Sequence, residues 1–208
     1  MFRDLNDLGI STKFLNTIKT IYSQVECAIK LNGNMTEWFN VNSGLKQGCI
    51  LSPVLFNIFI NSLVTDIKAL DIGIDIEGEK IGILLYADDI VLIAENENDL
   101  QLLIDILNTW CKHKALNVSF EKTKIVHFRN PSVPPTNDIF LLGEKQLGVV
   151  SKYQYHGLLL TEFLDYNEMA KAVTRSAGRA LSLLIVKSKA HGGFHFDTYT
   201  KRYDSLVW

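Results

Sequence analysis

The stretch IGILLYADDIVLIA, residues 81–94, carries the clearest structural signal in this chain. Its two apolar runs, Ile81–Tyr86 and Ile90–Ala94, flank a turn that holds two adjacent aspartates, Asp88 and Asp89. Apolar runs of this length on either side of a polar turn predict an antiparallel hairpin with the carboxylates at its tip. Because both runs are apolar on both faces, we expect the two strands to be largely buried.

Two neighbouring carboxylates at a hairpin tip are a candidate metal site. Asp88 and Asp89 repel each other and lose hydration there, and a bound cation offsets that cost. Hard oxygen ligands favour Mg²⁺ or Mn²⁺, and metal-dependent phosphoryl transfer often uses two ions bridged by carboxylates. A plain turn is the alternative for the pair alone, since Asp is common in turns. This turn, however, lacks the Gly or Asn that a tight hairpin prefers.

Four segments of the sequence carry the start signals or the periodicity of helices. Ser11 is predicted to cap one helix, and Ser52 to cap a second with Pro53 at its first position. Residues 98–99 open a third, amphipathic helix. A long helix is predicted from residue 164 to about residue 186.

Short strand patterns lie between these helices. Asn32-Gly33-Asn34 separates two strand-like runs and is a hairpin signal. Residues 140–150 suggest another hairpin, and residues 125–128 a strand. Helices mixed with local hairpins predict the α+β class, with an antiparallel sheet and packed helices.

Length and composition restrict the class of protein. The chain has 208 residues, enough for one medium domain or one domain plus an appendage. It lacks an apolar run of the roughly 18 residues that a membrane span needs, and residues 1–4 show no signal-peptide pattern, so we expect an intracellular protein without a membrane partner. Its three cysteines, Cys27, Cys49 and Cys111, are far apart and form no CxxC pair, which argues against a zinc site or a disulfide framework.

The net charge of -2 conceals an asymmetry along the chain. Residues 1–108 contain 7 Lys and Arg against 15 Asp and Glu, whereas residues 109–208 contain 14 against 8. The C-terminal half alone therefore has the charge of a nucleic-acid-binding surface. An ordinary solvated surface is the alternative, and composition does not decide between the two.

Two segments carry a family resemblance in the first half of the chain. Tyr86-Ala87-Asp88-Asp89 matches the YxDD box, motif C, of reverse transcriptases. Residues 44–57, GLKQGCILSPVLFN, resemble motif B of that family. The form is most similar to the QGCPLSP core of non-LTR (LINE-type) retrotransposons, with Ile50 in place of the usual Pro.

Two further segments follow in the order that the family shows. Residues 116–128, which include Lys122, resemble motif D. Residues 153–157, YQYHG, resemble motif E, and His156 replaces its usual Leu. Four segments in the right order are far more specific than any one of them. The resemblance covers roughly residues 14–160.

The resemblance implies an architecture and a set of partners. Residues 1–160 would form part of a polymerase palm, and residues 161–208 part of a helical thumb. The implied partners are an RNA template, a DNA primer and deoxynucleoside triphosphates, and the implied cofactor is Mg²⁺ or Mn²⁺. The oligomeric state is left open.

The same resemblance assigns roles to single residues. Asp88 and Asp89 become the catalytic metal ligands, and Gln47 and Gly48 contact the nucleotide or the template. Gly48 removes a side chain where backbone must approach them, and Gln47 can donate and accept hydrogen bonds. Lys122 places a cation near the triphosphate, with a solvated surface lysine as the alternative.

The long helix carries a candidate nucleic-acid contact. Lys171, Arg175 and Arg179 repeat every four residues, while Met169, Val173 and Ala177 are predicted on the opposite side. Such a stripe neutralises the phosphates of a duplex backbone. A solubilising outer face is the equally simple alternative.

Motif A, whose aspartate completes the metal site in the family, has no match in the sequence. Asp4 and Asp7 lie in residues 1–9, which lack a strand pattern. We therefore expect a polymerase fragment, truncated at both ends and inactive alone. The alternatives are a non-catalytic nucleic-acid-binding remnant and a palm-like nucleotide cyclase, although a cyclase needs no motif B template platform.

Overall fold

Six helices and fourteen short strands make up the part of the chain that the computed structural model describes, residues 2–23, 25–41, 44–46, 48–190 and 192–207. The helices are α1 (Phe2–Asp7), α2 (Thr12–Ser23), α3 (Ser52–Lys68), α4 (Glu97–His113), α5 (Tyr166–Ala190) and α6 (Phe196–Val207). The strands are β1 (Glu26–Cys27), β2 (Lys30–Leu31), β3 (Asn34–Met35), β4 (Phe39–Asn40), β5 (Ile74–Ile76), β6 (Glu79–Ile81), β7 (Ile83–Tyr86), β8 (Asp89–Leu92), β9 (Lys124–Ile125), β10 (Leu141–Leu142), β11 (Lys145–Gln146), β12 (Gly148–Val149), β13 (Lys152–Tyr155) and β14 (Leu158–Thr161).

The internal contacts of the chain divide these elements into two units, Met1–Asn117 and Val118–Trp208. The predicted palm and thumb boundary at residue 160 is a different division, and it stays a prediction. The mixture of helices and strands confirms the predicted class, while the palm and thumb arrangement also stays a prediction.

Three helices of the first unit build a shared core. Leu5 on α1, Leu15 and Ile18 on α2, and Leu55 on α3 are buried against one another. Each such aliphatic side chain contributes about 1.5–3 kcal/mol relative to an exposed one. The helical α1 agrees with the missing strand pattern in residues 1–9.

Helix α4 packs on α3 through aromatic and polar contacts. The rings of Phe59 and Trp110 meet at 5.5 Å in an edge-on arrangement, and the indole N–H of Trp110 donates to the Oγ of Ser62 at 2.9 Å. The Lys114 ammonium lies 5.2 Å from the centre of the Phe59 ring and pairs with Asp4 at 3.5 Å. These directional contacts fix the rotation of α4 against α3.

One predicted helix cap is confirmed and one is wrong. The Oγ of Ser11 accepts a hydrogen bond from the backbone N–H of Phe14 at 3.4 Å, at the start of α2. Ser52 is not an N-cap, because Leu51 occupies that position with helical φ and ψ of -81° and -27°. Pro53 does lie in the first turn of α3. The Ser52 hydroxyl instead makes a tertiary contact with the hydroxyl of Tyr22.

The amphipathic helix α4 begins one residue before the predicted start. Asn96 is its N-cap, and its side chain accepts from the backbone N–H of Asp99 at 2.9 Å. Asn caps helices well, yet the predicted start lies at residues 98–99 instead of at Asn96. The predicted apolar face is confirmed by its buried members Leu103, Ile104, Leu107, Trp110 and Cys111.

Each strand ladder among the described residues has two strands, and six of the seven ladders are antiparallel. The predicted Asn-Gly hairpin is confirmed, since Asn32 and Gly33 join β2 to β3 with φ of 49° and 87°. The β10–β11 hairpin falls in the predicted segment 140–150. The predicted strand 125–128 is shorter than expected, and its partner β12 runs parallel to it. The prediction contained only antiparallel pairs.

Two glycines bring the strands near the acidic turn into close contact. A Cβ on Gly82 would lie 2.4 Å from the carbonyl oxygen of Ile72, and a Cβ on Gly73 would lie 2.3 Å from the backbone of Ile81. Real side-chain carbons do not approach backbone this closely, so both positions require glycine. This crossing places the β5–β6 hairpin at the base of β7.

The second unit combines the β13–β14 hairpin with two helices. Helix α5 packs on β14 and on α6, which lies in the segment 161–208 that the family resemblance implied to be helical. Arg129 pairs with Glu162 at 2.8 Å and lies 4.8 Å from the centre of the Phe163 ring, which ties a loop to the end of β14. None of the described helices combines the length and apolar character that crossing a bilayer requires.

Candidate active site and nucleic-acid contacts

The acidic pair lies on the tip of the β7–β8 hairpin, as predicted. Tyr86 pairs with Asp89 across the ladder, so Ala87 and Asp88 form a two-residue turn. Ala87 has a φ of 51°, in the left-handed region that favours Gly or Asn. An alanine held there costs conformational energy, which tertiary structure must offset.

The hairpin is more exposed than its apolar strands predicted. Ile83 and Leu85 are half-buried on one face of β7, whereas Leu84 and Tyr86 on the other face are 47% and 66% exposed. Side chains alternate between the faces of a strand, so one face of β7 lies open. The expectation that both faces are buried is therefore wrong for this strand within the described structure.

The two carboxylates have the chemistry of a divalent cation site but are an incomplete set. Asp88 and Asp89 are both exposed, and among the described residues Asp88 forms no ion pair. No group of three or more metal-binding side chains occurs in the part of the chain that the structure describes. Asp4 lies on α1 and pairs with Lys114. The metal-binding role of Asp88 and Asp89 therefore stays a prediction.

The motif B loop is held to α2 by a hydroxyl pair. The hydroxyls of Tyr22 and Ser52 lie 3.0 Å apart, and Ser52 donates to the carbonyl oxygen of Lys46 at 2.7 Å. The single proton of the Tyr22 hydroxyl is shared between the Oγ of Ser52 and the Sγ of Cys49, which lies 3.8 Å away. The Lys46 ammonium lies 5.8 Å from the centre of the Tyr22 ring. One tyrosine thus contacts two residues of the loop and the first residue of α3.

The same loop contains Cys49 and the two residues predicted to contact the nucleotide or the template, Gly48 and Gln47. The backbone N–H of Leu51, followed by the hydroxyl of Tyr22, lowers the pKa of the Cys49 thiol below its ordinary value. Gly48 has a φ of 80°, which supplies a second reason for glycine besides close approach. Gln47 lies outside the described residues.

Motifs D and E meet within the second unit. The hydroxyl of Tyr153 on β13 donates to the carbonyl oxygen of Lys122 at 3.0 Å. The Lys122 side chain is exposed, and its predicted role stays a prediction. His156 and Gly157 form the turn between β13 and β14 with φ of 47° and 80°. Histidine is among the residues that tolerate this region better than most, which accounts for the replacement at this turn.

The basic stripe lies on α5, and all three of its members are exposed. Lys171 pairs with Glu168 at 3.3 Å, whereas Arg175 and Arg179 form no ion pair with the residues that the structure describes. Arg179 lines a groove of about 520 Å³ between α5 and the β13–β14 hairpin, beside Met169. Val173 and Ala177 line the same groove. The predicted separation of the basic and apolar sides therefore fails at Arg179, because a four-residue repeat drifts around the helix.

The comparisons with known proteins decide the family. The family described as "Reverse transcriptase (RNA-dependent DNA polymerase)" matches residues 1–160. The chain belongs to this reverse transcriptase family. The match confirms the family that the four motifs indicated, and it covers the segments assigned to motifs B to E.

Three relatives show where this reverse transcriptase chain stands. It is 28% identical over 159 residues to the "Retrovirus-related Pol polyprotein from type-1 retrotransposable element R2" of Popillia japonica, covering 73% of the chain and 26% of that protein. It is 30% identical over 105 residues to the corresponding polyprotein of "type-2 retrotransposable element R2DM" of Drosophila melanogaster, covering 50% and 10%. It is 22% identical over 204 residues to the "RNA-directed DNA polymerase from mobile element jockey" of Drosophila funebris, covering 95% and 22%.

These relatives confirm the predicted non-LTR retrotransposon type of the reverse transcriptase. The chain spans between 10% and 26% of the length of the three relatives. For this chain, the activities of the longer proteins are therefore proposals.

Proposed function

We propose that this chain contributes part of the catalytic core of an RNA-directed DNA polymerase. The reaction adds deoxynucleotides to the 3′-hydroxyl of a DNA primer along an RNA template. The observation that carries the proposal is the position of the YADD sequence of a reverse transcriptase on a two-residue turn with both carboxylates exposed. A buried or helical position would have removed them from substrate.

In this proposal Asp88 and Asp89 hold Mg²⁺ or Mn²⁺. When bound, such ions would supply activation of the attacking hydroxyl and stabilisation of the leaving oxygens. Lys122 places its exposed ammonium toward the triphosphate. Gly48, with Gln47, forms the part of motif B that admits the nucleotide or template close to backbone.

The proposal includes the inactivity of the 208 residues alone. Two-ion phosphoryl transfer needs carboxylates on both sides of the metal pair, and Asp88 and Asp89 supply one side. Positioning of the 3′-hydroxyl provides most of the acceleration in this chemistry. A third carboxylate from outside these residues is therefore required.

Manganese binding tests the site without requiring turnover. Mn²⁺ broadens NMR signals of nearby amides, so titration of the chain should broaden residues 86–90 first. The double variant Asp88→Asn with Asp89→Asn should abolish this broadening. Asp66→Asn, an exposed carboxylate on α3, is the matched control and should leave it unchanged. Broadening that persists in the double variant would contradict the metal assignment.

A second candidate function is nucleic-acid binding without catalysis, and the exposed cations of the second unit favour it. Arg175 and Arg179 on α5 are exposed and form no ion pair among the described residues. Salt-sensitive binding together with a failed manganese test would support this second function over the first.

A further inference from the structure

A cationic surface lies on the second unit, apart from the basic stripe of α5. The ammonium groups of Lys124 and Lys145 lie 5.9 Å and 5.4 Å from the centre of one aromatic ring, that of Phe120. Both distances are within the range of a cation–π contact. We call the two lysines, Lys124 and Lys145, the Phe120 lysine pair.

Two different strands bring the lysines of this pair together. Lys124 lies on β9 and Lys145 on β11 of the neighbouring hairpin, so their meeting depends on the tertiary fold. Lys124 pairs with Gly148 in the parallel β9–β12 ladder, and a Cβ on that glycine would lie 3.7 Å from the Lys124 stem. The stem of Lys124 thus passes close to Gly148, and its ammonium lies near the Phe120 ring.

The charges of the Phe120 lysine pair are open to a ligand. Lys124 and Lys145 are both exposed, and neither forms an ion pair with any residue that the structure describes. The neighbouring carboxylates of Glu121 and Glu144 are close in sequence but do not neutralise either ammonium within the described structure. The face of a ring attracts a cation without supplying negative charge, so both ammonium groups keep their donors for an anion.

We propose that the Phe120 lysine pair binds the phosphate backbone of a nucleic acid duplex. The inference rests on the proposed function, because it adds a contact surface to a protein that handles an RNA template and a DNA primer. From the two ring distances, the ammonium nitrogens are less than about 12 Å apart. One strand presents a phosphate about every 3.4 Å of duplex axis, so two lysines at this separation reach phosphates a few nucleotides apart. Phosphate contacts of this kind set orientation and carry no sequence preference.

The test is the salt dependence of duplex binding by the whole chain. Fluorescence anisotropy with a labelled RNA–DNA hybrid, in EDTA, gives the slope of log affinity against log salt. Each phosphate contact contributes about 0.9 to that slope. The double variant Lys124→Gln with Lys145→Gln should therefore lower it by about 1.8. Lys13→Gln with Lys30→Gln, two exposed lysines of the first unit, removes the same charge and should change it little.

A second variant tests whether the Phe120 ring contributes to duplex binding in addition to the two lysine charges. Phe120→Leu keeps both ammonium groups but removes the ring that holds them together. It should weaken binding at fixed salt while leaving the slope close to that of the wild type. Acetylation of lysines in the presence of the hybrid, read by mass spectrometry, should show protection at 124 and 145 and none at 13.

The results distinguish failure of this inference from failure of the polymerase proposal. An unchanged slope in the Lys124 and Lys145 variant, absent protection, or a wild-type chain that binds no hybrid would overturn the inference. Because these measurements contain no metal, they can succeed when the manganese test fails, which would remove the polymerase proposal alone. The reverse result would leave the polymerase proposal and remove this surface.

Discussion

The hydroxyl of Tyr22 lies 3.0 Å from the Oγ of Ser52, and this pair joins α2 to the first turn of α3 across the motif B loop. It explains why Ser52 is not the helix cap that the sequence indicated. The serine hydroxyl is engaged with Tyr22 and the carbonyl of Lys46, so it is turned away from the backbone N–H groups of its own helix.

Tyr22→Phe should loosen the motif B loop without opening the core. The ring and its packing remain, but the hydrogen bond to Ser52 is lost, at a cost of about 1 kcal/mol in the free energy of unfolding. Cys49 also loses a donor that lowers its pKa, so less thiolate is present at neutral pH and its alkylation slows. Denaturant unfolding and iodoacetamide labelling read by mass spectrometry measure the two effects.

Cys111 provides the internal comparison for that labelling. Burial raises the pKa of its thiol, so it should react more slowly than Cys49 in both proteins. An unchanged rate at Cys49 in Tyr22→Phe would show that the tyrosine hydroxyl does not act on the loop.

Two glycine substitutions should shift stability in opposite directions. Gly82→Ala places a methyl group 2.4 Å from the Ile72 carbonyl and should destabilise the strands below the acidic turn by about 1–3 kcal/mol. Gly178→Ala, inside α5 with no atom within 4 Å of the new carbon, should stabilise by about 0.5–1 kcal/mol. Thermal unfolding checks both signs. If Gly82→Ala left the unfolding temperature unchanged, the carbonyl of Ile72 could not lie as close to Gly82 as the structure shows.

The members of the α5 stripe should contribute unequally to duplex binding. Arg175→Gln with Arg179→Gln should reduce the salt slope by about 1.8, because neither arginine has an ionic partner among the described residues. Lys171→Gln should reduce it by less than about 0.9, since Glu168 already pairs with that lysine. Absent effects would indicate that the stripe only solubilises the helix, and a full reduction of about 0.9 in Lys171→Gln would show that Glu168 does not compete for that lysine.

Local signals predicted the elements that depend on local chemistry. The Asn32-Gly33 turn, the Ser11 cap and the acidic turn each follow from residues within a few positions. The apolar face of α4 follows from the helical spacing of its apolar residues, and the structure buries five of them.

The remaining features depend on contacts between distant residues. The Tyr22–Ser52 pair spans 30 positions, and the Tyr153–Lys122 contact spans 31. The parallel β9–β12 pair and the meeting of two lysines at Phe120 likewise need the folded chain. The close approach of Gly82 to the carbonyl of Ile72 also depends on the folded chain and was not predicted.

Asp88 is proposed to serve RNA-directed DNA synthesis once a third carboxylate completes the metal site. The most direct test of this role is primer extension on an RNA template in Mg²⁺. The assay compares this chain alone with the same chain joined to an upstream reverse transcriptase segment that carries the motif A strand. We expect no extension by the chain alone, extension by the joined protein, and a loss of more than about 100-fold in Asp88→Asn. Extension by the chain alone, or undiminished extension in Asp88→Asn, would contradict it.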